Sequence, residues 1–209
     1  MISAISTHSR IVVVTEATSR IGLAAIKNLI EKGTYILGIG KSVERCINVE
    51  SDILKQYPTS SVHYLAAYLF LQAHIRNLSK TIEEVLTKTF GDPILDVLIN
   101  NAEIFSSRFV KTQDGIESTF AVNHFSTLFS LRTFSHLTKS KNSRVITVGS
   151  GSYFHAKMHW KDLEIRYYYH GLKAYGEIKT CLCVIFSEFN RRFQQPSGIQ
   201  AFIADPGLV

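Results

Sequence analysis

Residues 10–33 read Arg-Ile-Val-Val-Val-Thr-Glu-Ala-Thr-Ser-Arg-Ile-Gly-Leu-Ala-Ala-Ile-Lys-Asn-Leu-Ile-Glu-Lys-Gly, and their pattern decides the fold. Residues 10–15 are a short β-branched run, as expected of a parallel strand buried on both faces. Over 21–32, Ile21, Ala24, Ala25 and Leu29 share one helical stripe, and Gly33 supplies the stop. A strand that feeds a helix within a few residues is the opening half of a βαβ unit.

The alternation continues along the chain. Further strands are predicted over 34–39, 62–66, 95–99, 144–148 and 199–204, with helices over 43–56, 71–90, 113–137 and 172–193. Strands regularly separated by helices imply right-handed crossovers, hence an α/β fold with a doubly wound parallel sheet of about six strands. No internal repeat, Pro/Ser linker or long charge block divides the chain, so residues 1–209 are read as a single domain. Ligands of such sheets bind beyond the carboxyl ends of the strands, near the point where strand order reverses. The residues that follow each strand are therefore where function is to be sought.

Composition narrows the classes further. The 209 residues are 45% hydrophobic and 19% charged, which excludes collagen-like, disordered and low-complexity chains. Cys46, Cys181 and Cys183 cannot build a disulfide framework, and a reduced, cytoplasmic setting is expected. The net charge of +6 is too diffuse to name an anionic partner, and no nucleic-acid module is present. The apolar stretch 62–71 is too short to span a membrane, and residues 1–10 lack the apolar core of a secretory signal.

Strand ends carry the chemistry. The turn Thr15-Glu-Ala-Thr-Ser-Arg-Ile-Gly22 resembles the Thr-Gly-x-x-x-Gly-x-Gly turn of the short-chain dehydrogenase/reductase family. Asn100-Asn101-Ala102-Glu103 is similar to its Asn-Asn-Ala-Gly, Tyr175-Gly-Glu-Ile-Lys179 to its Tyr-x-x-x-Lys, and Asp205-Pro206-Gly207 to its Pro-Gly turn. Ser150 follows the fifth strand where the family places its catalytic serine, with Ser152 as a competitor for that place, and Asn123 matches the family's helix asparagine. The step of 25 residues from Ser150 to Tyr175, with His159-Trp160-Lys161-Asp162-Leu163 between, looks most like the retinol-dehydrogenase-like branch.

The resemblance implies a Rossmann-like NAD(P)-dependent oxidoreductase that interconverts an alcohol and a carbonyl on a small, largely apolar substrate. Tyr175, Lys179, Ser150 and Asn123 would be catalytic, with Lys179 also on the nicotinamide ribose, Ser150 on the substrate oxygen and Asn123 in a water relay. Cofactor contacts would come from Thr15, Ser19, Arg20, Ile21, Gly22, Lys41, Asn100, Ala102, Tyr175, Lys179, Pro206 and Gly207. The physical chemistry of the pair is direct. Four residues apart on a helix, Tyr175 and Lys179 share a face. An ammonium beside a phenol stabilises phenolate and is expected to lower the tyrosine pKa from about 10. Family analogy also implies a homodimer.

Several positions depart from the family pattern. Glu16 and Arg20 replace the first two turn glycines, and only the packing glycine, Gly22, remains. Arg20 is expected to pair with Glu16 or to meet a phosphate. Glu103 replaces the glycine that closes the Asn-Asn-Ala turn, and Ala67-Tyr68-Leu69 lacks the usual acidic residue after the third strand. Gly40-Lys41 offers no carboxylate to a ribose 2′-hydroxyl; Lys41 and Arg20 instead favour a 2′-phosphate, hence NADP over NAD. The sequence stops at Val209, two residues after the Pro-Gly turn, so a domain without the family's last strand is expected. These departures keep open a second reading, a catalytically silent Rossmann-like module or truncated relic with weak or no cofactor binding.

Other conspicuous residues are assigned bland roles. His155 and His159 have helical spacing without a third ligand, so no metal site is expected. Cys181 and Cys183 are read as packing residues, and Tyr167-Tyr168-Tyr169 as loop packing or a pocket wall. Arg191-Arg192 suits a helix end.

Overall fold

The computed structural model describes residues 10–207. The expectations for the segment before Arg10 and for Val209 fall outside the described residues. Strands β1 (Ile11–Thr15), β2 (Tyr35–Gly40), β3 (Ser61–Ala66), β4 (Val97–Asn100), β5 (Arg144–Val148) and β6 (Gln200–Ala204) form one sheet. Every pairing is parallel and the order is β3-β2-β1-β4-β5-β6. This is the doubly wound arrangement, with order reversing between β1 and β4.

Period-two alternation splits the core into two layers. On one face Val13, Leu37, Leu98 and Val145 pack beneath helices α3 (Gln72–Phe90), α4 (Ser118–Arg132) and α6 (Gly171–Ser197), through Ile82, Phe125, Leu182 and Phe186. On the other, Val12, Val14, Ile36 and Val97 meet Ile26 of α1 (Arg20–Ile30) and Ile53 of α2 (Val43–Gln56). Because β1 is covered on both sides, all five of its residues are buried. Burial of each such aliphatic side chain contributes about 1.5–3 kcal/mol.

The single helix expected over 113–137 is instead two, α4 and the short α5 (Phe134–Leu137), preceded by a turn. Lys111 bridges to Glu117, Gly115 takes a left-handed φ of +77°, and the Glu117 carboxylate caps α4 by accepting from the Phe120 amide at 2.8 Å. At Thr133 the hydroxyl bonds back to the Phe129 carbonyl at 2.9 Å, and the backbone leaves the helical region there. The helix expected to stop at 193 runs on to Ser197, with Pro196 in its last turn and left-handed Gly198 as cap. Among the described residues no helix is long and apolar enough to cross a membrane.

Helix α1 is pressed tightly onto the end of β1. A Cβ at Gly22 would collide with the Glu16 carbonyl oxygen and lie 2.8 Å from the Asn101 side-chain nitrogen. Backbone on one side leaves little room to yield. Gly22→Ala is expected to cost about 1–3 kcal/mol, read as a lower urea midpoint at unchanged m-value; an unaltered midpoint would contradict this contact.

Candidate active site

At the switch point, one hydroxyl joins the two diverging strands. Thr15 Oγ1 accepts from the amides of Asn101 and Ala102, each at 2.9 Å, and donates to the Ile99 carbonyl at 3.4 Å. The Asn101 side chain returns the contact by donating to the Thr15 carbonyl at 3.0 Å. Thr15 and Asn101 are buried, so these bonds are shielded from water. The two turns beyond β1 and β4 are thereby fixed against each other.

The first of these turns takes left-handed backbone at two positions that are not glycine. Glu16 has φ 52° and Arg20 φ 47°, both in the left-handed region that glycine adopts freely. Tyr64 of β3 holds the turn from the far side. Its ring lies over Gly38, where a Cβ would come within 2.6 Å of it, and its hydroxyl donates to the Ala17 carbonyl at 2.9 Å. Burial pushes the Glu16 carboxyl up, while Lys41 and Arg20 pull it down. The expected Glu16–Arg20 ion pair is not among the ion pairs of the described residues, and Arg20 acts on Glu16 only at longer range.

The second turn ends in Glu103. Its amide donates to Glu16 Oε2 at 3.1 Å. Its own Oε2 accepts from the Tyr175 hydroxyl at 2.8 Å and from Lys179 Nζ at 2.7 Å. Lys179 is 2% exposed and also donates to the Val148 carbonyl at 2.9 Å. Two carboxylates standing at glycine positions therefore link the β1 turn, the β4 turn and α6 across the cleft.

Tyr175 and Lys179 do share a helix face, with the ammonium 5.3 Å from the tyrosine ring centre. The expected fall in the tyrosine pKa is corrected, however. Burial raises the Tyr175 pKa, and acceptance of its proton by the Glu103 carboxylate raises it further; Asp205 adds to the rise, and a hydrogen bond from Ser150 opposes it. A negative acceptor stabilises the neutral phenol, so burial and the Glu103 carboxylate act in the same direction.

Ser150 stands at the start of a single 3-10 turn, Gly151–His155, with its hydroxyl accepting from the Ser152 amide at 3.3 Å. Asn123 is buried in α4 and donates to the carbonyls of Ile104, at 2.9 Å, and Thr119, at 2.8 Å. That first bond ties α4 to the segment after Glu103.

Other expected ligand residues have turned inward. Asn100 donates to Ser130 at 2.9 Å and Thr147 at 3.3 Å inside the sheet, and Thr15 is held in the clasp. Their donors are thus held by partners within the protein. Gly22 likewise serves packing. Pro206 and Gly207 are exposed beyond β6, with the Gly207 amide donating to Asp205 at 3.0 Å.

The remaining candidates line two neighbouring cavities that share Glu16, Ser19, Glu103 and Ile104. A cavity of about 170 Å³ beyond β1, β2 and β3 is bounded by Thr18, Ser19, Lys41, Arg45, Ala102 and Glu103. A neighbouring one of about 370 Å³ is bounded by Ser19, Arg20, Ile21, Glu103, Phe105, Leu172 and Tyr175. Sequence reading missed Arg45, one helical turn from Lys41, as well as Phe105 and Tyr64. His155 and His159 do not share a helix: His159 lies in the following loop, where buried Glu177 accepts from its amide at 2.9 Å and meets its ring Nδ1 at 2.6 Å. Arg191 and Arg192 both pair with Glu188.

A doubly wound sheet with a Tyr–Lys pair at its switch point defines a Rossmann-like protein of the dehydrogenase type. A family model described as short chain dehydrogenase matches residues 10–161, and the chain belongs to that family. Polyprenol dehydrogenase of Mus musculus is 28% identical over 208 residues, covering 96% of this chain and 60% of that protein. Retinol dehydrogenase 14 of Mus musculus is 26% identical over 210 residues, covering 97% and 62%, and supports the retinol-dehydrogenase-like branch. The WW domain-containing oxidoreductase of Gallus gallus is 26% identical over 207 residues, covering 95% and 48%. The chain thus spans about half to three fifths of the length of these relatives. Among solved structures, the Pseudomonas aeruginosa RhlG/NADP active-site complex matches with a TM-score of 0.74 at 22% identity, covering 98% of this chain and 75% of that one. A short-chain dehydrogenase from Sphingobium yanoikuyae in complex with NADPH matches at 0.71 and 21% identity, covering 94% and 71%. These two likenesses establish the fold.

Two substitutions test the geometry of the first turn. Arg20→Gly is expected to raise unfolding free energy by about 0.5–1 kcal/mol, left-handed strain relieved exceeding glycine's added freedom. Tyr64→Phe, which removes only the bond to Ala17, is expected to lower it by about 1 kcal/mol. Chemical denaturation reads both; opposite signs would show that the turn is not shaped as described.

Proposed function

We propose that the protein is an NAD(P)-dependent oxidoreductase that interconverts an alcohol and a carbonyl on a small, largely apolar substrate, with NADP preferred. One observation carries this reading. The Tyr175 hydroxyl and the Lys179 ammonium converge on a single oxygen, 2.8 and 2.7 Å away, at the mouth of the sheet. The oxygen is now Glu103's, but it marks where a substrate or ribose oxygen would be received. Short-chain dehydrogenases are oxidoreductases, and two structural neighbours were solved with NADP or NADPH.

The residues present fit one half of such a cofactor. Lys41 and Arg45 supply two cations, and Thr18 and Ser19 two hydroxyls, around one cavity; that donor set suits nucleotide phosphates, a 2′-phosphate included. At the other end the donors of Tyr175 and Lys179 are already taken by Glu103. When bound, the cofactor would supply the hydride. The protein's part is proton transfer and placement. In reduction Tyr175 donates its proton to the carbonyl oxygen as charge develops there, and Ser150 steadies that oxygen. Lys179 stabilises the phenolate left behind. Phe105, whose ring meets that of Tyr175 edge-on at 6.1 Å, and Leu172 make the wall apolar. That wall suits substrates like those named in the polyprenol and retinol dehydrogenase relatives.

A silent module is the competing reading, and the Glu103 contact is the observation in its favour. Titration with NADPH and NADH, followed by cofactor fluorescence, separates the two. Saturable NADPH binding is expected, weakened at least about tenfold by Lys41→Ala with Arg45→Ala. Tyr175→Phe is expected to cut reduction of retinaldehyde by at least about a hundredfold while the fold persists. No saturable binding by folded protein, in any variant, would overturn the oxidoreductase reading.

A further inference from the structure

The two carboxylates that stand where the family has glycine meet in one chain of contacts. Glu16, on the β1 turn, accepts from the Glu103 amide at 3.1 Å; Glu103 in turn accepts hydrogen bonds from Tyr175 and Lys179 on one oxygen. Both lysine donors seen, to Glu103 and to Val148, are charge-assisted, and the ammonium is almost wholly buried. A buried ammonium needs a counter-charge, and Glu103 forms its only ion pair among the described residues. Yet the Glu103 side chain is 36% exposed, so it can leave toward the cleft without crossing packed protein. Glu103 and Glu16 both border the two cavities on either side of this point.

We propose that Glu103 is an internal plug: its carboxylate occupies the oxygen-binding point of Tyr175 and Lys179, and an incoming ribose or substrate oxygen must displace it before reaction. This rests on the oxidoreductase reading and deepens it. The plug makes the free protein self-capped. Its side chain competes intramolecularly with the ligand, so apparent affinity falls by the fraction of molecules in which the site is open. Glu16 sharpens the competition by fixing the backbone from which the carboxylate reaches across. Once displaced, Glu103 ceases to hold the Tyr175 proton, and the phenol is released for exchange with a substrate oxygen.

The groups that face Tyr175 are Glu103, Ser150, Asp205 and Lys179, and those that face Glu16 are Glu103, Lys41 and Arg20. Among the groups facing the phenol, Glu103 makes the larger contribution to holding its proton, ahead of Asp205. Removal of this carboxylate should therefore be visible at the tyrosine without any cofactor.

The test uses the full chain, with Glu103→Gly and with Glu103→Gln, which keeps the side chain's size should the glycine variant fold poorly. Circular dichroism checks the fold of each. Tyrosine ionisation is followed by absorbance near 295 nm, and the Tyr175 component is isolated by repeating each titration with Tyr175→Phe. NADPH affinity is measured by cofactor fluorescence. Removal of the carboxylate is expected to move Tyr175 ionisation to lower pH and to tighten NADPH binding at least about tenfold in Glu103→Gly, with a smaller gain in Glu103→Gln. An unmoved Tyr175 component would show that the carboxylate does not sit on the phenol, and would overturn the plug. A moved component with equal NADPH affinity in all forms would overturn the competition while leaving the oxidoreductase reading intact. A moved component with NADPH bound by none of them would overturn the oxidoreductase reading, and the plug's function with it.

Discussion

The clasp between Thr15 and Asn101 is the constraint on which the site depends. Parallel strands at a switch point diverge into crossovers on opposite faces, so nothing in the ladder itself fixes their following turns. Here a threonine hydroxyl serves two amides and one carbonyl, and an asparagine amide answers it. Buried groups of this kind are costly if left unmatched, at about 1–3 kcal/mol each, and that cost enforces the match. With both turns locked, the residues immediately after the clasp, Glu16 on one side and Glu103 on the other, have to meet. The cleft and the contact across it follow from the same few bonds.

The demands of fold and ligand can be separated residue by residue. Gly22 has no alternative, because a Cβ there would meet backbone. At Glu16 and Arg20 the requirement is different: the backbone must adopt positive φ, which non-glycine residues reach at a cost of about 1–2 kcal/mol each. The chain thus tolerates substitution where the penalty is conformational and keeps glycine where it is steric.

Sheet, order of elements and the face shared by Tyr175 and Lys179 were all legible in the sequence, because each depends on local periodicity. The strand β1 announces itself by β-branched residues buried on both sides, and α6 by a four-residue step on one face. The break in the helix expected over 113–137 was not legible. It depends on Glu117 turning its carboxylate to cap its own helix and on Thr133 bonding backward, choices that side-chain identity allows without dictating. The inward turn of Asn100 was hidden for a related reason: its partners Ser130 and Thr147 lie on other elements, 30 and 47 residues away. Glu103 was visible as a departure from a glycine motif, but its reach to α6 spans 72 residues of sequence and exists only once the clasp has formed.

That long-range contact reverses a local inference of general interest. A lysine one helical turn from a tyrosine predicts an acidified phenol when the two are considered alone. Burial together with a carboxylate received by both donors changes the sign, since desolvation disfavours the phenolate and the carboxylate holds the phenolic proton. The phenol is left in an environment that favours its neutral form. The surroundings of Tyr175 and Lys179 are therefore set by three positions, the two on the helix and the residue that closes the turn after the fourth strand. With glutamate there, the pair faces an oxygen of its own chain.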